Sequence, residues 1–444
     1  MQNPRQVALE VLIHVYKNKA YSNLAVNKMI KKYKIEETGL IREIVYGVIE
    51  NQIYLDYIIG KLVKTGLKKL KSEVHIILRM GLYQMIFLDH TPPYAVVNES
   101  VKLTKKYSYR HVGFVNAVLR NYERNKEEMT LPDKKKDIVQ YLSVKYSYEP
   151  WLVKEWLKTF DADFTEDLLQ AGNSTPELTI RVNTLKTNVD FITKELENQD
   201  VKVSKGKYMD EALIVKGSNL IDHNKWYNSG YYQVQDESSM LAVRALDPQP
   251  NDTMIDICSA PGGKTIYAAE LMKNKGKIIA RDIHEHKLTL LNDRAQKHGI
   301  HIIETQVFDG LNYDPNLSRR ADKVLVDVPC SGYGVIRRKP EIKYNRSKED
   351  FKELAKIQYQ ILEQASKYVK NKGTLLYSTC TISPQENMDV IRKFLNHNSD
   401  FKIDLLEKEP FENFNAEEGA VQLFPNLDGT DGFFICKMKK MNDN

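Results

Sequence analysis

Two cysteines in this 444-residue chain stand where a reactive thiol would be useful. Cys330 follows an apolar run in Asp327-Val328-Pro329-Cys330-Ser331-Gly332, and Cys380 follows another in Tyr377-Ser378-Thr379-Cys380. If both runs are strands of one doubly wound sheet, both thiols lie at its carboxyl edge, where such sheets bind ligands. Isolated cysteines are usually small buried hydrophobes, and that reading suits Cys258 and Cys436. Cys380 differs, because Ser383-Pro384-Gln385-Glu386 has the form of a capping box with Pro at the first helical position. A thiol beside that helix N-terminus is expected to favour thiolate. Cys380 is then a candidate nucleophile and Cys330 a candidate acid–base partner. A packed thiol at a strand end is the other reading of the Pro-Cys turn.

A second constellation suits a nucleoside. Asp256-Ile257-Cys258-Ser259-Ala260-Pro261-Gly262-Gly263-Lys264-Thr265 follows a strand pattern and opens a helix, so the glycines let backbone approach a ligand. Asp282 ends the next strand twenty residues after Gly262, where a carboxylate can accept both ribose hydroxyls. The spacing is neither G-x-G-x-x-G nor a P-loop, which disfavours a triphosphate. Asp309 and Asp327 follow or close two further strands at the same edge. An acid-rich rim fits the sulfonium and ammonium of S-adenosylmethionine better than phosphate. A plain tight turn is the alternative for the glycine pair.

The elements that would position these groups can be read from apolar spacing. Val74, Ile77, Leu78, Gly81, Leu82 and Met85 recur with helical period, and residues 1–136 read as an all-helical block. A helix is expected from about Ala95 to Tyr107, and if it continues it would carry Lys102, Lys106 and Arg110 on one face, with Lys105 beside them, as a candidate phosphate-binding strip. Leu178 to Val182 and Ala212 to Val215 flank a helical pattern from Val189 to Asn198, giving a small α+β module. From Asp252 onward, strand patterns at Thr253 to Ile257, Lys277 to Asp282, His301 to Val307, Lys323 to Val328 and Thr374 to Ser378 alternate with helices. That alternation predicts a mostly parallel, doubly wound α/β sheet, with Phe433 to Met438 as a late strand.

Charge is uneven along the chain. Residues 1–136 hold 24 Lys and Arg against 13 Asp and Glu, net +11, while the remainder carries −5. Clustered cations attract nucleic acid through counterion release, although a solvated lysine-rich face is equally compatible with the count. With 42% apolar residues the chain can build real cores, which excludes global disorder. Four cysteines without a C-x-x-C pair exclude a disulfide framework or a zinc knuckle, and no run of eighteen apolar residues occurs. The expectation is a reduced, cytoplasmic, monomeric protein with no membrane segment and no metal.

Together the strings D-x-C-S-A-P-G-G-K-T, D-x-P-C-S-G and S-T-C-T resemble those of the RNA cytosine-5 methyltransferases, specifically the Sun/Fmu type acting on 16S rRNA. The front block is similar to the RNA-binding helical domain of the antitermination factor NusB, through Ile77 to Gln84 and Gly113 to Arg120. Arg181-Val182-Asn183-Thr184 and Gln235-Asp236 match that family's small substrate-binding module. The resemblance implies a NusB-like all-α domain over residues 1–136, a helical linker and α+β module over 137–240, and a Rossmann-like methyltransferase domain over 241–440. It implies S-adenosyl-L-methionine as cofactor, with Cys258, Ser259, Ala260, Pro261, Gly262, Gly263 and Lys264 along its methionine and ribose side. Asp282 would hold the ribose, Asp309 would lie by the adenine, and Asp327 would face the methionine moiety and the base. Ser259 departs from the commoner alanine. Cys380 would be the nucleophile adding to carbon 6 of cytosine, and Cys330 the group that assists removal of the carbon 5 proton. The other functions in play are a noncatalytic RNA-binding ribosome assembly factor and a tRNA cytosine-5 methyltransferase.

Overall fold

The structure is a computed structural model that describes residues 3–442 apart from 19, 65, 218–223, 407, 408, 413 and 415. Residues 1 and 2 of the expected front domain and 218–223 of the expected small module therefore lie outside the described residues. The chain forms two compact units, Met1–Ser174 with Ile336–Arg346, and Thr175–Val335 with Ser347–Asn444.

Among the described residues the first unit is built of helices. Apolar residues at helical spacing on Ser72–Phe87, including Val74, Ile77, Leu78 and Leu82, are fully buried in one core with Val7, Leu12, Ile44, Ile58 and Leu119. Helix Pro93–Ser108 starts with Pro at its first turn, where the missing N–H costs nothing. It stops at Ser108, and Arg110 belongs to a separate 3-10 turn, Tyr109–His111. The expected strip of Lys102, Lys106 and Arg110 on one continuous helix is therefore corrected, and Lys102 is held by Glu99 at 2.7 Å. The later segment Ile336–Arg346 is built into this unit. Its buried Glu341 accepts from the Ser22 backbone N–H (3.1 Å) and hydroxyl (2.7 Å). Its fully buried Lys343 ammonium donates to Glu50 O (2.9 Å), Tyr146 O (3.3 Å) and Asn173 Oδ1 (2.7 Å), and lies over the Tyr148 ring at 4.4 Å. Burial pushes its pKa down to about 7.

The second unit holds two sheets. Strands β1 (Leu178–Val182), β2 (Lys202–Lys205), β3 (Ala212–Lys216) and β4 (Tyr232–Val234) form an antiparallel sheet in the order β2-β3-β1-β4, with helix Val189–Glu197 between β1 and β2. Strands β5 (Thr253–Asp256), β6 (Lys277–Asp282), β7 (Ile303–Val307), β8 (Ala321–Asp327) and β9 (Val369–Thr379) run parallel in the order β9-β8-β5-β6-β7. Strand β10 (Phe401–Ile403) pairs with β13 (Phe433–Lys440). The latter joins β9 antiparallel and is followed outward by β12 (Ala420–Leu423) and β11 (Ala416–Glu417). Continuous apolar runs such as Ile278-Ile279-Ala280 are buried on both sheet faces, as helix-covered parallel strands require. The order reverses between β5 and β8, so the crevice lies at the ends of those strands.

Candidate active site

The loop after β5 makes the floor of the site. Gly262 adopts φ +99°, and a Cβ there would stand 2.7 Å from Leu291 Cγ, so no side chain fits where the chain turns into helix Gly263–Leu271. Thr265 on that helix donates to Asp256 Oδ2 at 2.7 Å. Oδ1 of Asp256 has no partner among the described residues, and burial pushes its pKa up to about 7. The Ser259 hydroxyl donates to Arg281 O at 3.0 Å, tying the loop to β6 and leaving its glycines undisturbed.

A cavity of about 290 Å³ opens here, lined by Cys258 through Lys264 together with Asp256, Asp327, Arg294 and the β4 end from Gln233 to Asp236. Burial holds the Cys258 thiol well above its ordinary pKa, with Asp256, Asp327, Asp282 and Asp309 adding to the effect. Asp327 is occupied on both oxygens, by Lys264 Nζ and by the Ser378 hydroxyl, each at 2.8 Å. Asp282 and Asp309 stand outside this lining. Asp282 accepts from His284 N (2.9 Å), and the exposed Asp309 from Leu311 N (3.0 Å).

At the ends of β8 and β9 the two thiols meet, with Cys330 Sγ 3.2 Å from Cys380 Sγ and both side chains half-buried. Their hydrogen bond is the first cause that lifts the Cys330 pKa well above its ordinary value, followed by burial. Cys330 therefore stays a thiol and can donate to Cys380. The expected capping box is corrected. Ser383–Glu386 is not the start of a helix, which begins only at Met388 with no side-chain cap from Asn387. Glu386 turns instead to the Cys330 loop, accepting from Ser331 N (2.8 Å) and Gln358 Nε2 (2.9 Å). It fixes the backbone beside one cysteine rather than the dipole beside the other.

Sequence reasoning gave no site role to Asp256, Gln233 or Arg294 and read Glu386 as a helix cap. Asp256 opens the glycine string and could have been found there. Arg181 was a motif residue without a role; fully buried, it donates to both oxygens of Glu270 (3.1 and 2.9 Å) and to Gln235, locking β1 to helix Gly263–Leu271.

Known proteins fit this geometry. The family model described as 16S rRNA methyltransferase RsmB/F matches residues 243–439, the NusB family matches 2–124, and an RsmF/B-like ferredoxin-like domain matches 148–222. A probable ribosomal RNA small subunit methyltransferase B of Bacillus subtilis is 39% identical over 98% of each chain. Its counterpart in Synechocystis is 31% identical over 99% of this chain and 100% of its own. The crystal structure of PH0851 aligns with a TM-score of 0.84 at 31% identity over 99% of each chain. A methyltransferase homologue from Pyrococcus horikoshii gives a TM-score of 0.58 at 28% identity over 68% of this chain and 98% of its own.

S-adenosyl-L-methionine is the cofactor such relationships indicate, and the residues present fit it: an open carboxylate oxygen on Asp256 for a cationic group, and a glycine floor that a Cβ would fill. Full-length likeness to the curated relatives, carried on a sheet edge that gathers these motifs, places the chain in the 16S rRNA methyltransferase RsmB/F family.

Proposed function

We propose that the chain methylates carbon 5 of a cytosine in 16S rRNA through a covalent Cys380 adduct, as a cytoplasmic monomer. The 3.2 Å approach of Cys330 and Cys380 is the observation that carries this reading. Carbon 5 of cytosine is a weak nucleophile. Addition of the Cys380 thiolate at carbon 6 makes carbon 5 enamine-like. S-adenosylmethionine supplies an electrophilic methyl group when bound. The carbon 5 proton must then leave so that the carbon–sulfur bond can break and release the thiolate. Once Cys380 sulfur is bonded to carbon it no longer holds Cys330 by a hydrogen bond, and Cys330, 3.2 Å from that sulfur, stands within reach of the carbon 5 proton and would assist its removal.

Cys258 to Lys264 and Asp327 line the cavity and would hold the methionine and ribose side. Asp282 for the ribose and Asp309 for the adenine rest on the family resemblance, since neither lines the cavity. Lys264 holds Asp327 in place. In this reading residues 1–136 dock the RNA, 137–240 shape the substrate cleft, and 241–440 carry out transfer. The target base must leave its stack, at a cost of a few kcal/mol that is least in loops.

Tritiated methyl transfer to 16S rRNA, followed by mapping of the label, tests the proposal. Label on carbon 5 of a single cytosine is expected. Label on tRNA alone, or on another base position, would overturn it.

A further inference from the structure

The cavity over the glycine floor does not end at Arg294. Gln233, Val234 and Arg294 also line a neighbouring cavity of about 100 Å³, which continues to Tyr227, Lys297 and His298. The two adjoining cavities make a track with Asp256 and Asp327 in one part, Arg294 where they adjoin and Lys297 in the other. Carboxylates line one part and cations the other.

The cationic end is uncompensated. Lys186, Arg294 and Lys297 have no carboxylate partner among the described residues. Arg294 donates to Pro261 O at 3.1 Å, and Lys186 Nζ donates to the carbonyls of Ser229 (2.8 Å) and Lys297 (2.6 Å). Burial lowers the pKa of Lys297, and repulsion from Arg294 and Lys186 lowers it further, as expected for a cluster awaiting an anion. The nearby carboxylate of Glu270 is taken by Arg181. Aromatic rings interleave with the cations: Lys297 Nζ lies 3.8 Å from the Tyr227 ring centre, and Lys186 faces Tyr231 at 5.9 Å. Between the two ends sits Gln233, 8% exposed, whose Oε1 accepts from no described group.

We propose that this cationic end is a phosphate subsite for single-stranded RNA, holding the backbone of a nucleotide next to the target base. The inference rests on the RNA-methylating function proposed above and deepens it. A nucleotide strand matches the track better than a free anion does. Its phosphate would meet Arg294 and Lys297, a flat group would meet Tyr227, and a hydroxyl or amino group can donate to Gln233. A bare phosphate could supply only the first of these. The track would then feed the neighbouring base toward the acid-lined end, where Asp327 is joined through Ser378 to the end of β9 that carries Cys380.

The test compares the full-length chain with Arg294→Gln/Lys297→Gln, using single-stranded 16S rRNA fragments that the unaltered protein methylates, over a salt series. Loss of this one phosphate contact should flatten the slope of log affinity against log salt by about 0.7 and raise KM for RNA roughly tenfold at low salt. Lys297→Arg, which keeps the charge, should retain the parent slope and so separates phosphate binding from a folding defect. An unchanged slope and KM in the double variant, on RNA that the parent methylates, would overturn the subsite alone. Failure of the parent to methylate any rRNA fragment would overturn the underlying function instead.

Discussion

Lys343 in the helical unit and Asp256 in the sheet unit are both buried charges, and they are treated in opposite ways. Lys343 meets three oxygens and an aromatic ring, which uses every proton of its ammonium. Asp256 meets one hydroxyl and leaves an oxygen open toward a cavity. A buried polar group without a partner costs about 1–3 kcal/mol. On Asp256 that cost falls on an oxygen of a residue that lines the cofactor cavity, where a ligand can complete it.

Replacing Lys343 by Met should break this comparison most forcefully. Glu50 O, Tyr146 O and Asn173 Oδ1 each lose a charged donor, and stability of the chain should fall by about 3 kcal/mol in denaturant unfolding. A loss below about 0.5 kcal/mol would show that the ammonium is not holding Ile336–Arg346 in the helical unit. Asp256 sharpens the comparison from the other side, with a smaller effect. Its pKa is raised to about 7, so below that pH the folded protein carries it neutral and above it charged. Affinity for S-adenosylmethionine, which carries a sulfonium and an ammonium, should therefore rise between pH 6 and pH 8, by up to about tenfold. The same carboxyl makes stability fall as pH rises from its unfolded value near 4 toward 7, because the folded state binds the extra proton. Asp256→Asn should remove most of the pH dependence of cofactor affinity measured by calorimetry. A parent affinity that is flat across the range would deny Asp256 its place by the ligand.

Much of this arrangement could be read before any coordinates. The parallel strands were legible because they are buried on both faces, which leaves runs such as Ile278 to Ala280 without polar interruption. The motif residues of the glycine loop were legible because only glycine tolerates φ +99° against Leu291. What escaped was decided by distant partners. Strand β9 begins at Val369, ahead of the polar Asn371-Lys372-Gly373, because pairing with β8 continues through a register shift there. Glu386 looked like a helix cap by local spacing, but Ser331, 55 residues away in sequence, takes its carboxylate. Glu341 and Lys343 carry no signal of burial in the residues around them. Their partners lie far off, with Ser22 separated from Glu341 by 319 positions, so no local pattern could show their burial. Arg294 and Lys297 look like ordinary helix-face cations until β4 is laid beside them.

The most direct test of the two-thiol chemistry is to incubate Cys330→Ala with its RNA substrate and S-adenosylmethionine and look for a protein–RNA species that survives denaturing electrophoresis. The account predicts a persistent adduct that disappears when Cys380 is also replaced. Normal turnover by Cys330→Ala, or an adduct that forms without Cys380, would contradict it.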